Sequence, residues 1–361
     1  MRPRPTRPPR TEQYAPLPHL QTVTGPLPHH AVTGPVLPHE HLVLDLDRAG
    51  DRAAVLDAEC HGPAVVTELT QLREEYGLGL VVELTCRGMG RDAAALARIS
   101  RAAGVPVIAA TGWYYEPFHT PDVVGSSVEH LTAVLVREIT EGIAGTGVRP
   151  GVIGEVGSHG ERPSEPEARV LRAAARAALT TGLSVATHAH LGRGGAAQLD
   201  VLTREGLPPE RISIGHQDLL DDPRAHRELA ASGAYVAFDT VGKEGYQPDA
   251  TRLRLLLALL EAGHADRALL SCDVSRHGYL RTEGGQGYGH LFGGFLPALR
   301  AAGADDDLLD LLLRRNPVRF LTGGAELPPE PYGDAQPSPG PHGDAQTPPG
   351  PYAPLPTETT P

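Results

Sequence analysis

Eight short apolar runs, each followed by a stretch of helical periodicity, constrain this chain more than any other feature. They occupy residues 33–37, 78–84, 105–110, 152–156, 183–187, 212–215, 234–238 and 268–271. Each is nearly continuous in apolar residues, as strands buried on both faces of a parallel sheet are. The intervening helices carry their own punctuation. Residues 91–103 stop at Gly104, and Ser164 with Glu167 makes a capping box ahead of 167–179. Residues 250–262 end at Gly263, and 305–315 are expected to end at Asn316-Pro317. Eight strand–helix repeats are the count of a (β/α)8 TIM barrel, an α/β fold. An open doubly wound sheet would use fewer repeats and a glycine-rich first turn; here the first strand runs into Pro-His-Glu-His instead.

The 361 residues suit one such barrel with appended ends. Of 35 prolines, 10 fall in residues 1–40 and 12 in 328–361, so the proline excess belongs to the ends. A ten-residue repeat starts at Pro331, recurs at Pro341 and begins again at Pro351. It is too short and too polar for a solenoid. The expected organisation is a disordered Pro/Arg-rich extension over 1–20, a barrel over 21–324 and a disordered repeat tail over 325–361.

Charge and cysteine content exclude several classes. With 32 Lys and Arg against 44 Asp and Glu, the net charge of −12 opposes nucleic-acid binding. No run approaches 18 apolar residues, so no membrane association is expected. The start lacks the apolar core of a signal peptide. Three cysteines without C-x-x-C spacing suit a reduced, cytoplasmic chain.

Barrel enzymes carry their chemistry where strands end. The first strand leads into His39-Glu40-His41, the fourth contains Glu155, the fifth ends at His188, the sixth at His216 and the eighth at Asp273. In extended chain His39 and His41 share a side, with Glu40 facing away. Imidazoles with carboxylates suit Zn²⁺, with Mn²⁺, Co²⁺ or Fe²⁺ as alternatives. Six ligands exceed the needs of one zinc; two ions bridged by one carboxylate use them all.

These residues resemble the phosphotriesterase family of the amidohydrolase superfamily over about residues 22–322. The resemblance rests on Gly34-Pro-Val-Leu-Pro-His-Glu-His-Leu42, Ala110-Thr-Gly112, Thr187-His188, Ile214-Gly-His216, Ser271-Cys-Asp273 and Asn316-Pro-Val-Arg-Phe320, in matching order. It implies that His39, His41 and Asp273 hold the more buried ion, and His188 and His216 the more exposed one. Phosphotriesterase proper bridges its ions with a carbamylated lysine, but Val-Ile-Gly-Glu-Val has none. This segment, with Phe238-Asp-Thr-Val-Gly-Lys243 and Gly284-Gly-Gln-Gly-Tyr-Gly289, is similar to the phosphotriesterase homology branch. Glu155 then bridges directly, which weighs against efficient organophosphate hydrolysis. A homodimer is likewise implied.

The expected function is binuclear zinc-dependent hydrolysis of a small-molecule ester, lactone or amide, with water activated between two cations. Asp273 is the expected proton shuttle. A phosphotriesterase, a mononuclear amidohydrolase and a non-catalytic scaffold are the alternatives. Around the site, Tyr114 can donate to an oxyanion or form pocket wall, and His190 competes with His188. Arg276 and Arg281 can clamp a substrate anion or sit in surface pairs, with Lys243 equally ambiguous. Asp218 and Asp239 can orient ligand histidines or cap helices. Residues 284–289 are expected to form a mobile loop over the pocket, and Cys272 to point away from Asp273.

Overall fold

The computed structural model describes residues 16–330 and residue 332. All eight expected strands are present: β1 Val36–Glu40, β2 Leu80–Glu83, β3 Val107–Thr111, β4 Val152–Ser158, β5 Val185–Ala189, β6 Ile212–Ile214, β7 Tyr235–Phe238 and β8 Ala268–Leu270. They pair in parallel in sequence order, β1 at one edge and β8 at the other. The edges meet at a seam, where the Asp273 N–H donates to the His39 carbonyl (3.2 Å) and the His39 N–H donates to Ser271 Oγ (3.2 Å). This nearly closed (β/α)8 barrel is the fold expected from the eight repeats.

The helices α1 Gly62–Tyr76, α2 Ala93–Ala103, α3 Val128–Glu141, α4 Glu165–Thr181, α5 Gly195–Arg204, α6 Pro223–Ala231 and α7 Asp249–Glu261 follow the first seven strands. The Ser164–Glu167 capping box opens α4. Alternation along the strands divides the apolar residues in two. Val36, Val82, Ile108, Val152, Ala186 and Leu269 fill the barrel with Leu20 and Phe320, while Leu37, Val81, Val107, Ile153, Val185 and Val236 pack beneath the helices.

Packed chain runs past both ends of the 21–324 segment. A hairpin of His19–Thr22 and Gly25–Pro28 lies against the barrel, its Val23 N–H donating to the Val107 carbonyl (2.8 Å). Ala325 and Leu327 are buried as well. The proline-rich decapeptide repeats and residues 1–15 lie outside the described residues. Among the described residues no helix is long and apolar enough to cross a membrane.

Two local expectations change. The first strand starts three residues late, because Gly34 abuts Gly77 so closely that a Cβ would lie 1.9 Å from its carbonyl oxygen. The last helical stretch also continues past Asn316-Pro317. Asp306–Asp310 passes through a widened turn, Leu311–Arg315, into Asn316–Thr322. Pro317 falls in the first turn of that final segment, where its missing N–H costs little. The Asn316 amide donates to the carbonyls of Ala265 and Ala268 (2.8 and 2.9 Å), holding β8.

The end of β3 hangs on one buried carboxylate. Glu138 of α3 accepts from Thr111 Oγ1 (2.6 Å), Arg87 (2.6 Å) and Arg91 (3.0 Å), while Arg91 also donates to the Ala110 carbonyl (3.0 Å). Burial opposes its charge, yet Arg91, Thr111 and Arg87 hold its carboxyl below the usual range. A carboxylate depressed on folding adds stability above the unfolded pKa and loses it as pH falls through the folded one. Glu138→Gln is therefore expected to cost roughly 3 kcal/mol at pH 7, with the gap from wild type closing below about pH 4. Denaturant unfolding across pH checks both the loss and its direction.

Candidate metal centre

Two register irregularities build this site. In strict alternation, Leu37 and Glu40 would face opposite sides of β1. The β1–β2 pairing shifts between them, inserting one residue at Pro38-His39. A one-residue insertion exchanges the faces of everything beyond it. His39 and His41 consequently turn inward and Glu40 outward. Pro38 is tolerated because a bulge needs no ladder N–H there. The β4–β5 pairing shifts likewise between Ile153 and Val156, both in the outer layer, and Glu155 enters the barrel. Gly154 allows this because a Cβ would sit 2.6 Å from the Ala186 carbonyl oxygen.

The five strand ends bring all six expected ligands together, every one buried. Glu155 Oε1 lies 3.4 Å from His41 Nε2. Its Oε2 lies 3.4 Å from His39 Nε2, 3.2 Å from His188 Nδ1 and 3.7 Å from His216 Nε2. Asp273 Oδ1 is 3.2 Å from His41 Nε2 and 3.9 Å from His39 Nε2. Two of the groupings able to hold an ion are thus His39–His41–Glu155 and Glu155–His188–His216, with Glu155 common to both. His216 (φ 57°) and Asp273 (φ 50°) adopt left-handed backbone, strained for residues other than glycine.

The opposite ring nitrogens show how the imidazoles are aimed. His39 Nδ1–H donates to Asp239 Oδ2 (2.6 Å), and both the backbone N–H and Nδ1–H of His216 donate to Asp239 Oδ1 (2.8 and 2.9 Å). His41 Nδ1 lies 2.8 Å from Thr85 Oγ1. A partner on one ring nitrogen fixes the tautomer and leaves the other as a metal donor. His39 Nε2 is accordingly buried without any hydrogen-bond partner. Donors about 2.1 Å from one zinc lie roughly 3.4 Å apart at tetrahedral angles, close to the separations around Glu155. The residues fit divalent ions.

Electrostatics agree. Burial opposes ionisation of Glu155, Asp239 and Asp273, but the histidines hold all three carboxyls well below their usual range, with Lys243 the leading partner of Asp273. Against burial, Asp239 and Glu155 push His216 up to about 10, and Asp273 and Glu155 push His41 up to about 9. Burial and the adjacent His216, its Nε2 2.7 Å from His188 Nδ1, bring His188 down to about 4. Three ionised carboxylates thus face Lys243 and imidazoles whose protons they hold, positive charge that bound divalent ions would replace.

The remaining candidates separate clearly. Tyr114 is buried with its hydroxyl 3.1 Å from His188 Nδ1. Lys243 Nζ bonds Asp273 Oδ2 and Ser275 Oγ, while Arg276 stands apart beside the Tyr246 hydroxyl (3.4 Å). Among the described residues neither His190 nor Asp273 falls in an ion-holding group, but Asp273 lies beside His41 Nε2 (3.2 Å). Asp218 touches no ligand histidine; it accepts from Thr240 and Arg252. Glu40, fully buried, accepts from Ser271 Oγ and the N–H groups of Cys272 and Val274, each at 2.8 Å. Cys272 Sγ points to the Tyr288 carbonyl, away from the cluster. The glycine-rich loop is pinned rather than free: Tyr288 is buried, its hydroxyl donating to the His41 carbonyl (2.7 Å). Thr85 and Tyr288 escaped the sequence reading because neither belongs to a ligand-type pattern.

Known proteins of similar sequence and shape share this architecture. The family model described as the phosphotriesterase family matches residues 18–321. The phosphotriesterase homology protein of Escherichia coli is 36% identical over 288 residues, 80% of this chain and 98% of that protein. An N-acetyltaurine hydrolase of Rattus norvegicus is 31% identical over 342 residues, 84% of this chain and 97% of its own length. The structure of an organophosphorus hydrolase from Deinococcus radiodurans superposes with a TM-score of 0.77 at 33% identity, covering 85% of this chain and 98% of that one.

Asp239→Asn keeps the shape but removes the charge that two histidines share. Metal affinity is expected to fall about 10- to 100-fold, which titration with a competing chelator measures directly.

Proposed function

The chain belongs to the phosphotriesterase family of hydrolases, and from that premise we propose a binuclear zinc enzyme cleaving a carboxylic amide, ester or lactone. The observation that carries this reading is that Glu155 presents its two oxygens to histidines on both sides. His39, His41 and Asp273 would hold the inner ion, His188 and His216 the outer, with Glu155 shared between them. Bound there, the ions supply Lewis-acid polarisation of the scissile carbonyl and a water of lowered pKa.

The protein groups divide the remaining work. Asp273, whose Oδ2 bonds Lys243, would take the proton of the attacking water and return it to the leaving group. Tyr114 holds His188 and offers a hydroxyl to negative charge developing on the substrate oxygen. Arg276, in the loop after β8, is set against the Tyr279 ring and the Tyr246 hydroxyl. It suits an anionic substituent on the substrate, as the sulfonate-bearing substrate in the name of the rat relative would have. An N-acyl amide with a sulfonate or carboxylate is therefore preferred to a phosphotriester.

Metal analysis of protein purified without chelator is expected to give close to two ions per chain. Glu155→Gln should lower that number, whereas one ion or none in both proteins would overturn the bridged pair. Lys243→Met should keep the metal and reduce kcat. Arg276→Ala should raise KM about tenfold for an anionic N-acyl amide while leaving that of an uncharged ester unchanged. Steady-state kinetics on both compounds make the comparison.

A further inference from the structure

The mouth of the barrel has two walls of different chemistry. On the β7–β8 side, Lys243 and Arg276 each lie 5.1 Å from the centre of the Tyr279 ring. On the β3–β5 side the wall is made of rings. Tyr115 lies parallel to His188 (5.4 Å, 10°), and His190 stacks on His159 (4.5 Å, 23°). Tyr115 also meets His159 at 5.7 Å and His190 at 5.8 Å. The rings lead outward from buried His188 to exposed His159.

Nothing in the fold uses the outer part of this wall. The side chains of His159 and His190 have no protein hydrogen-bond partner among the described residues. Their nitrogens are not sealed in the interior either. His190 opens a tight turn. The chain turns immediately after it through Leu191 in left-handed backbone (φ 52°), which costs energy for a residue with a side chain. A stacked pair of flat rings with free edge nitrogens, beside a reaction centre, can stack a planar group and hydrogen-bond its rim.

We propose that Tyr115, His159 and His190 form a subsite for a planar substituent of the substrate, an aromatic or conjugated acyl group. The subsite rests on the hydrolase reading above for its place in a reaction, but its binding is measurable without turnover. An aromatic contact of this kind is worth roughly a two- to tenfold gain in affinity.

N-benzoylglycine and N-acetylglycine, which differ only in the ring, are the probes. Calorimetric titration of the metal-loaded full chain should show the benzoyl compound binding up to about tenfold tighter. That advantage should vanish in His190→Ala and His159→Ala and persist in His190→Phe, with acetyl binding unchanged and thermal unfolding reporting that each variant is folded. Equal affinities in the wild type, or an advantage that survives both alanine variants, overturns the subsite. Hydrolysis assayed in the same samples separates the two ideas. A ring-dependent affinity without cleavage of either compound upholds the subsite and counts against amide hydrolysis.

Discussion

The site depends on parity. A β-strand presents alternate residues to alternate faces, so His39 and His41 point together but in a direction set by everything before them. Strict alternation from Val36, which faces the barrel interior, would send both histidines into the helical layer and bring Glu40 inside. The inserted residue at Pro38 reverses this, and the one at Gly154 does the same for Glu155. Both irregularities lie just before the ligands, where the barrel changes from apolar filling to polar cluster. The strands below them stay regular, and the packing of Val36, Val152 and Leu269 proceeds undisturbed.

Once the side chains face inward, a ring of hydrogen bonds sets their final geometry. Asp239 serves two histidines from different strands, joining β1 to β6 through β7. Thr85 plays the same part for His41, and Tyr288 fixes the backbone behind it. Lys243 leaves Asp273 only one oxygen for the cluster. These partners orient the ligand side chains so that their remaining polar atoms converge on Glu155. Charge works to the same end, because three buried carboxylates in so small a space are stable only with cations among them.

Much of this was legible in the sequence. The eight apolar runs fixed the barrel because periodicity and strand count are properties of the chain itself, and the ligands followed from their places at strand ends. The Thr187-His188 pattern favours His188 over His190, two positions on; in the structure the strand ends at Ala189 and His190 opens the turn that follows. The roles of Asp239 and Asp218 were unresolved, and only the contacts distinguish a carboxylate that binds imidazoles from one that binds Arg252. Lys243 illustrates the deepest limit. A lysine some 30 residues before an aspartate announces nothing about their meeting. The continuation of the helix through Pro317 was hidden for a different reason: a widened turn has no sequence signature, and proline reads as a stop.

The seam between β1 and β8 carries a further implication. Glu40 gathers Ser271, Cys272 and Val274, residues more than 230 positions away in the chain. The same closure delivers Asp273 to His39 and His41. During synthesis the histidines of the first strand emerge long before the aspartate that completes their cluster. The seam of β1 and β8 is what closes the sheet and completes the cluster. Ring closure and site assembly are therefore one event, and a ribosome-bound chain becomes competent only after its last strand has been released and turned back onto its first.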